Sequence, residues 1–221
     1  MHDACIIFTY HNNDQLTQSH YDRFKYFNPE YPIVMIKHED FQQLPYWDYD
    51  WMWGYNDNIW YRWFLSNEKI LADRYFIFDY DTYCNDSIKN YYGGVWEEQC
   101  ACSDHWSIQK YSNWSWFEKY AEHLKIYKDK LYGVSPPSSL MIRHNDMAQL
   151  IQEQQNNSIW RKVFLELRIG TILNINNVKI SFIDEQKKHH STAFPWCVPV
   201  NYNNTPGIYH PVKKLLIETN S

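Results

Sequence analysis

The feature that most constrains how this chain can fold is the stretch of residues 75–82, in which an apolar run passes directly into two aspartates. Four apolar residues are followed by Asp79 and Asp81, which are separated by one tyrosine. A short apolar run bounded by polar residues is typical of a strand buried on both faces in an α/β sheet. Ligands of such sheets bind at the carboxyl ends of the strands. The stretch therefore predicts a buried central strand that delivers two carboxylates to a ligand-binding edge.

The two carboxylates are candidate ligands of a divalent metal. Carboxylate oxygens are hard ligands that suit Mg²⁺ or Mn²⁺, and a metal at this edge would screen the charge of a phosphate. The alternative is that Asp79 and Asp81 are solvated loop acids or helix caps, which is the commoner state of an isolated Asp-x-Asp. The order of the surrounding elements bears on this choice.

A β-α-β unit precedes the aspartates, and it favours a parallel sheet with right-handed crossovers. Asp14 is placed to cap its helix, which Asn28-Pro29 stops. A Trp- and Tyr-rich loop at residues 40–55 either packs on its own aromatics or, because aromatic faces suit sugar rings, forms a wall for a sugar. The predicted elements of this half are a strand at 4–9, a polar turn at 10–14, a helix ending at 27, a strand at 32–36 and a helix at 58–71.

The second half alternates helices and strands less clearly. Gly133 to Pro137 is its strongest break, and Asn145 or Asp146 is placed to cap a helix. Two short strands at 172–175 and 178–183 are predicted to form a hairpin through Asn176-Asn177. The other predicted elements are a strand at 138–143, helices ending at 155 and at 158–167, and a loop at 184–206.

The C-terminal sequence Gly207-Ile208-Tyr209-His210-Pro211-Val212-Lys213 completes a pattern that begins with Asp79-Tyr80-Asp81. In this order, the two motifs resemble those of the GT-A glycosyltransferases, most closely the small single-domain bacterial and viral members. The resemblance covers nearly the whole chain. It implies one domain over residues 1–221, with a nucleotide-binding N-terminal part and an acceptor-binding C-terminal part. The implied fold is α/β, GT-A (Rossmann-like), with a mixed, mostly parallel central sheet flanked by helices.

The resemblance also implies a site and its substrates. The donor would be a nucleoside-diphosphate sugar, with UDP favoured because metal-dependent members mostly use it, and the acceptor would be a glycan or another hydroxyl compound. The implied ligands of Mn²⁺ or Mg²⁺ are Asp79, Asp81 and His210, with Asp81 the first choice and Asp79 binding metal or ribose. The implied nucleotide-binding residues are Thr9, Tyr10, His11, Asn12, Arg62, Asp79 and Lys213.

Glu166 is the candidate catalytic base for a reaction that inverts the anomeric carbon. It interrupts the apolar run of residues 164–170, where burial would raise its pKa and suit it to proton transfer. The alternative is a structural glutamate paired with Arg161 or Arg168. A retaining enzyme needs no such base, and the stereochemistry stays open.

Three other functions share parts of this pattern. A haloacid-dehalogenase-like phosphatase expects a threonine two positions after the second aspartate, whereas here Thr82 follows Asp81 directly. A sugar-phosphate nucleotidyltransferase expects a Gly-rich phosphate loop, but residues 10–14 contain no glycine. A non-catalytic glycan-binding module would explain the aromatics and leave the aspartates unexplained. A zinc site at Cys100, Cys102 and His105 lacks a fourth ligand.

The amino-acid composition indicates which classes of binding partner and which cellular compartment to expect. A net charge of −5 without a Lys/Arg run argues against nucleic acid or an acidic membrane surface. Aromatic residues make up 19% of the chain, and their faces suit sugar rings. The five irregularly spaced cysteines fit a reducing compartment. Because neither a signal peptide nor a run of about 18 apolar residues is evident, we expect a cytoplasmic protein without a membrane span.

Overall fold

The computed structural model describes residues 1–38, 57–103, 105–107, 124–134, 139–190 and 204–213. These form a mixed, mostly parallel α/β sheet flanked by helices, as the sequence predicts. The helices are α1 Gln15–Phe27, α2 Asp57–Leu65, α3 Ile88–Tyr91, α4 His144–Asn156 and α5 Leu165–Ile175. The strands are β1 His2–Tyr10, β2 Ile33–Lys37, β3 Ala72–Asp79, β4 Tyr83–Cys84, β5 Cys100–Cys102, β6 His105–Ser107, β7 Tyr132–Val134, β8 Leu140–Arg143, β9 Ile180–Phe182, β10 Lys188–His190 and β11 Ile208–His210.

The main sheet has six strands in the order β2-β1-β3-β8-β5-β9. Strand β1 pairs in parallel with β2 and with β3, and β8 runs antiparallel to both of its neighbours. The parallel pairing sets Thr9 of β1 opposite Asp79 of β3. The carboxyl ends of β1 and β3 therefore meet at one edge, which is where the first aspartate lies.

Alternation along β1 and β3 divides the core into two layers, because successive side chains of a strand point to opposite faces. Ile7 and Ile77 face one layer, which also contains buried residues of α2, α4 and α5. Phe8 and Phe78 face the other, together with Phe24 of α1 and buried residues of α3. Both strands are covered on both faces, as the apolar run of residues 75–78 predicts.

The N-terminal unit closely follows its local signals. The side chain of Asp14 accepts a hydrogen bond from the backbone N–H of Thr17 at 2.8 Å, as expected of a helix cap. Helix α1 then continues to Phe27 and is capped by Asn28. The predicted helix at 58–71 is too long, however. Helix α2 ends at Leu65, where the hydroxyl of Ser66 donates to the carbonyl of Trp63 at 2.8 Å and closes the last turn.

The predicted hairpin at 172–183 is wrong. Residues 172–175 belong to α5, which Asn176 caps, and Asn177 takes a left-handed φ of 56°. The strand that follows, β9, pairs in parallel with β5. A short buried apolar run cannot be assigned to a strand or a helix by its pattern alone. The buried position of Ile172 and Leu173 in the α5 layer decides for the helix.

Two further boundaries differ from prediction. The predicted helix at 158–167 is split into a 3₁₀ turn, Ser158–Lys162, and the start of α5, because Val163 is extended. Helix α4 begins at His144, before the predicted caps, and follows Arg143 without a side-chain cap. Gly170 lets α5 approach β7 closely, since a Cβ at this position would overlap the carbonyl of Tyr132.

A small second sheet brings the C-terminal segment to the aspartates. Strand β11 lies between β10 and β4, with Tyr209 opposite Tyr83. Asn85, just after β4, donates its backbone N–H to the carbonyl of Gly207 at 2.9 Å and its side-chain amide to the carbonyl of Thr205 at 3.0 Å. These bonds place β11 beside the turn that follows β3.

Some sequence predictions fall outside the described residues. These are the Trp-rich loop, including Trp47, Trp51 and Trp53, much of segment 95–132, which the resemblance assigns to acceptor recognition, and most of the loop at 184–206. Within the described part, no helix is both long and apolar enough to cross a membrane.

Candidate active site

The site is built around a tight turn at the carboxyl end of β3. The backbone N–H of Thr82 donates to the carbonyl of Asp79 at 2.9 Å, which closes the turn over Tyr80 and Asp81. Both aspartates are buried, with 4% and 3% of their surface exposed. They are therefore not the solvated loop acids of the alternative interpretation.

Asp79 is held by its own turn and by β1. Its Oδ1 atom accepts hydrogen bonds from the hydroxyl of Thr9 at 3.1 Å and from the backbone N–H of Tyr80 at 3.0 Å. Burial and the nearby charge of Asp81 raise the pKa of Asp79 to about 7, although His210 acts in the opposite direction. This carboxyl is therefore partly protonated near neutral pH.

Asp81 is held by the C-terminal segment. Its Oδ2 atom lies 2.5 Å from Nζ of Lys213, its Oδ1 atom lies 3.1 Å from Nε2 of His210, and its carbonyl accepts a hydrogen bond from the N–H of Val212 at 2.7 Å. Burial alone would raise the pKa of Asp81, but His210 and Lys213 outweigh it and hold this pKa well below its usual value. Asp81 is therefore a carboxylate at any pH near neutrality.

A group of rings lies beside this ion pair. Nζ of Lys213 donates to the hydroxyl of Tyr80 at 3.3 Å, and the Tyr80 ring lies 5.0 Å from the ring of His11. The ring of His11 in turn contacts that of His38 at a centroid distance of 3.8 Å. Burial lowers the pKa of His11 and lowers that of His38 to about 3, so both rings are neutral at pH 7.

The donor set fits a divalent cation that is completed by water and by a ligand. Oδ1 of Asp81 is buried and accepts no hydrogen bond among the described residues, although Nε2 of His210 is 3.1 Å away. Two adjacent ligands of one octahedral ion, each about 2.1 Å from it, stand about 3 Å apart. In the described ranges no three His, Cys, Asp or Glu side chains are grouped so that they could hold a metal ion together. Mg²⁺ commonly uses one or two carboxylates together with waters and substrate phosphates.

The structure brings together most of the residues that the sequence singles out. His210 and Lys213 lie against Asp81 as expected, although 128 residues separate His210 from that aspartate in the chain (210 − 81 − 1). The predicted residues in this contact group are Thr9, His11, Asp79, Asp81, His210 and Lys213. Their roles toward metal and nucleotide stay predictions.

The remaining predicted residues lie on other elements. Tyr10 ends β1 and Asn12 lies in the turn after it, close in sequence to the group. Arg62 lies in α2, and Glu166 is half-buried in the first turn of α5. Their assigned functions also stay predictions. The structure also places His20 and His38 close to the site. The sequence gives only a weak signal for them, because His20 is a polar residue on the inner face of a helix and His38 is one at the end of a strand.

Comparison with known proteins finds no matching family model and no matching curated protein. Three of the similar solved structures are glycosyltransferases. The galactosyltransferase LgtC, in complex with donor and acceptor sugar analogs, is 12% identical, with a TM-score of 0.46 over 80% of this chain and 73% of that chain. An active-site mutant of LgtC is also 12% identical, with a TM-score of 0.43 over 77% and 69%.

The bifunctional glycosyltransferase WbbM, in its apo structure, is 12% identical, with a TM-score of 0.39 over 81% of this chain and 44% of that chain. At this identity and at these scores the likeness does not decide the activity. The functional proposal therefore depends on the geometry of the site.

Proposed function

We propose that this protein is a metal-dependent glycosyltransferase, which moves a sugar from a nucleoside-diphosphate sugar to a hydroxyl group of a glycan or similar acceptor. The observation that carries the proposal is the position of the ionised Asp81 between His210 and Lys213, at the carboxyl edge of an α/β sheet. Such an edge is where these sheets bind nucleotides and their relatives. Uridine is the proposed base, because the GT-A enzymes that the sequence resembles mostly pair it with a metal.

The reaction requires the leaving diphosphate to be stabilised while positive charge develops at the anomeric carbon. When bound, Mn²⁺ or Mg²⁺ supplies a Lewis acid for the diphosphate. Asp81 and His210 are the residues that would hold this ion, since the described residues offer no group of three such ligands. In the metal-free protein, Lys213 neutralises Asp81. Its ammonium group is half-buried and close enough to the same edge to neutralise a phosphate instead.

The neighbouring residues orient these groups. Thr9 holds Oδ1 of Asp79, so the first strand fixes the direction of the first carboxylate. The neutral ring of His11, which lies against Tyr80, offers a hydrogen-bonding face for the ribose or the base. Glu166 is proposed as the base that removes the proton of the acceptor hydroxyl, provided that the reaction inverts the anomeric carbon.

The proposal is tested by calorimetry of UDP binding in Mn²⁺ and in EDTA. We expect UDP to bind at least tenfold more tightly with Mn²⁺, and we expect Asp81→Asn to remove this difference, because the amide is a poorer ligand for a hard cation. Asp22→Asn, at an exposed position of α1, is the matched control for loss of one negative charge. Equal UDP affinity in Mn²⁺ and EDTA for the unmodified protein would exclude the proposed metal role.

The reaction products then distinguish a glycosyltransferase from a sugar-phosphate nucleotidyltransferase. Incubation with a UDP-sugar, Mn²⁺ and a panel of glycan acceptors should release UDP in proportion to acceptor glycosylated. A nucleotidyltransferase would glycosylate no acceptor; with pyrophosphate added, it would convert the UDP-sugar into UTP and the sugar 1-phosphate. That product pattern would replace the proposed reaction with nucleotidyl transfer.

A further inference from the structure

His20, on the buried face of α1, reaches the turn that carries the two aspartates. Only 1% of its surface is exposed. Its Nδ1 atom lies 2.8 Å from the carbonyl oxygen of Tyr80, the residue between Asp79 and Asp81. The ring packs edge-on against Tyr83, immediately beyond the turn, at a centroid distance of 5.5 Å. The imidazole is thus directed at the backbone of the candidate site.

The carbonyl that His20 contacts belongs to the central peptide of this turn, between Tyr80 and Asp81. The hydrogen bond from Thr82 to Asp79 joins the ends of the turn and does not by itself fix the orientation of that peptide. Rotation of that peptide converts one turn type into another, and the type II turn requires a positive φ at its third residue. Here the third residue is Asp81, and aspartate tolerates a positive φ better than most residues.

Of these two turn types, the structure has the one without a positive φ at Asp81. Among the described residues other than glycine, a positive φ occurs only at Asn177 and Asn204, so Asp81 does not have the backbone of a type II turn. Rotation of this peptide would turn the carbonyl of Tyr80 away from Nδ1 of His20 and bring Asp81 to a positive φ. The hydrogen bond to His20 therefore favours the turn conformation in which the carboxylate of Asp81 contacts His210 and Lys213.

Apart from the Nδ1 hydrogen bond, the His20 ring makes no polar contact among the described residues that would favour a histidine at this position. Burial lowers the pKa of His20, so the ring is neutral, and Nδ1–H is the donor to Tyr80. The other nitrogen, Nε2, is buried without a hydrogen-bond partner in the described part of the chain. Buried polar atoms without partners are uncommon and costly. An apolar side chain would fill the same space without that cost, so the Nδ1 donor is what histidine adds.

We propose that His20 is a positioning residue, which holds the Tyr80–Asp81 peptide, and with it the turn of residues 79–82, in the conformation in which the Asp81 carboxylate contacts the C-terminal segment and would bind a metal. This inference rests on the proposed function for the identity of the ligand. Its structural part, the control of the turn, concerns the metal-free protein as well.

Three variants of His20 distinguish the effect of its hydrogen-bond donor from the effect of its packing. His20→Asn keeps an N–H donor at the distance of Nδ1 from the backbone, His20→Gln moves the donor one bond further out, and His20→Leu keeps an apolar filling without a donor. Amide hydrogen exchange of the metal-free proteins would report the turn through the N–H groups of Thr82 and Val212. The N–H of Ile7, in the central strand, is the reference for global stability.

We expect exchange at Thr82 and Val212 to accelerate tenfold or more in His20→Leu and His20→Gln, and to stay within about threefold of the unmodified protein in His20→Asn. Exchange at Ile7 should remain similar in all of them. The apparent affinity for Mn²⁺ in the presence of UDP should follow the same order, falling at least tenfold for the leucine and glutamine variants and recovering in the asparagine variant.

Unchanged exchange at Thr82 and Val212 in His20→Leu would overturn the inference. So would equal losses in the asparagine and leucine variants, because they would indicate packing and not the donor. If the unmodified protein binds neither Mn²⁺ nor UDP, the proposed function fails. Donor-dependent exchange would then still support His20 as the residue that positions the turn.

Discussion

At the scale of single residues, the two aspartates of the site differ in how they hold a proton. Asp79 is buried next to the negative charge of Asp81, and its pKa is raised to about 7. Asp81 is buried equally deeply, but His210 and Lys213 keep it ionised. Two carboxyl groups two positions apart thus have opposite shifts, because only the second is in direct contact with His210 and Lys213.

This difference predicts how stability depends on pH without metal. Between about pH 4 and 7 the folded protein keeps a proton on Asp79 that the unfolded chain has lost, so the free energy of unfolding falls as the pH rises through this range. Asp79→Asn removes this effect and keeps an oxygen that can accept from Thr9. From pH 5 to pH 8, the unmodified protein should lose about 2 kcal/mol more than the variant, or roughly 4–8 °C in Tm.

Thermal unfolding in EDTA at a series of pH values would measure this difference. Asp22→Asn should follow the pH dependence of the unmodified protein, because its carboxylate is on the surface. Parallel pH profiles for Asp79→Asn and the unmodified protein would mean that Asp79 has an ordinary pKa in the fold.

Glu166 is a second test at this scale. If it is the base, Glu166→Gln should lower the rate of transfer to an acceptor by about 10²–10⁴, which is the usual contribution of such a group, while UDP affinity stays nearly unchanged. Steady-state kinetics and UDP calorimetry on the same preparation would show the separation. Equal losses in both, or a product that NMR coupling constants show to retain the anomeric configuration, would exclude this role.

At the scale of helices, a fully buried ion pair joins α5 to the start of α2. Nε of Arg168 donates to Oδ2 of Asp57 at 3.1 Å, and its Nη2 donates to the other carboxylate oxygen. Nη1 of the same side chain donates to the carbonyls of Val163 at 2.6 Å and Trp160 at 3.0 Å. This one guanidinium therefore connects three segments, including the helix that carries Glu166.

Removing one partner of this pair should be costly. Arg168→Met would leave a buried carboxylate and two carbonyls without their donor, which we expect to lower the free energy of unfolding by about 3–5 kcal/mol. Adding Asp57→Asn removes the uncompensated charge and should recover part of that loss. Urea unfolding of the single and double variants measures both terms. A loss below about 1 kcal/mol in Arg168→Met would show that the pair contributes little to joining these helices.

At the scale of the whole molecule, local signals predicted the first half of the fold well. The apolar run of β3 and the cap at Asp14 act through residues close in sequence, and both are present. The hairpin at 172–183 failed because the choice between strand and helix depends on burial against distant elements. The prediction that α2 continues to residue 71 failed for a local reason, because Ser66 closes the last turn of the helix.

The candidate site shows the same limit. The approach of His210 and Lys213 to the aspartates was expected from the order of two motifs that resemble a known family, and no local pattern would have predicted it. The contacts of His20 with Tyr80 and of Asp57 with Arg168 were not foreseen, since 60 and 111 positions separate the partners. In each case the sequence shows an ordinary helix residue, and only the packed chain shows its partner.

Because Asp81 is held by His210, Val212 and Lys213, the site cannot form during synthesis until the C-terminal segment has been made. A ribosome that adds about 5–20 residues per second needs roughly 6–26 s to travel from residue 81 to residue 210. Throughout that interval the nascent chain carries its aspartates without the partners that hold them. A transcript or a protease that ends the chain before residue 208 would therefore yield a product that retains both aspartates of the turn and lacks a finished site.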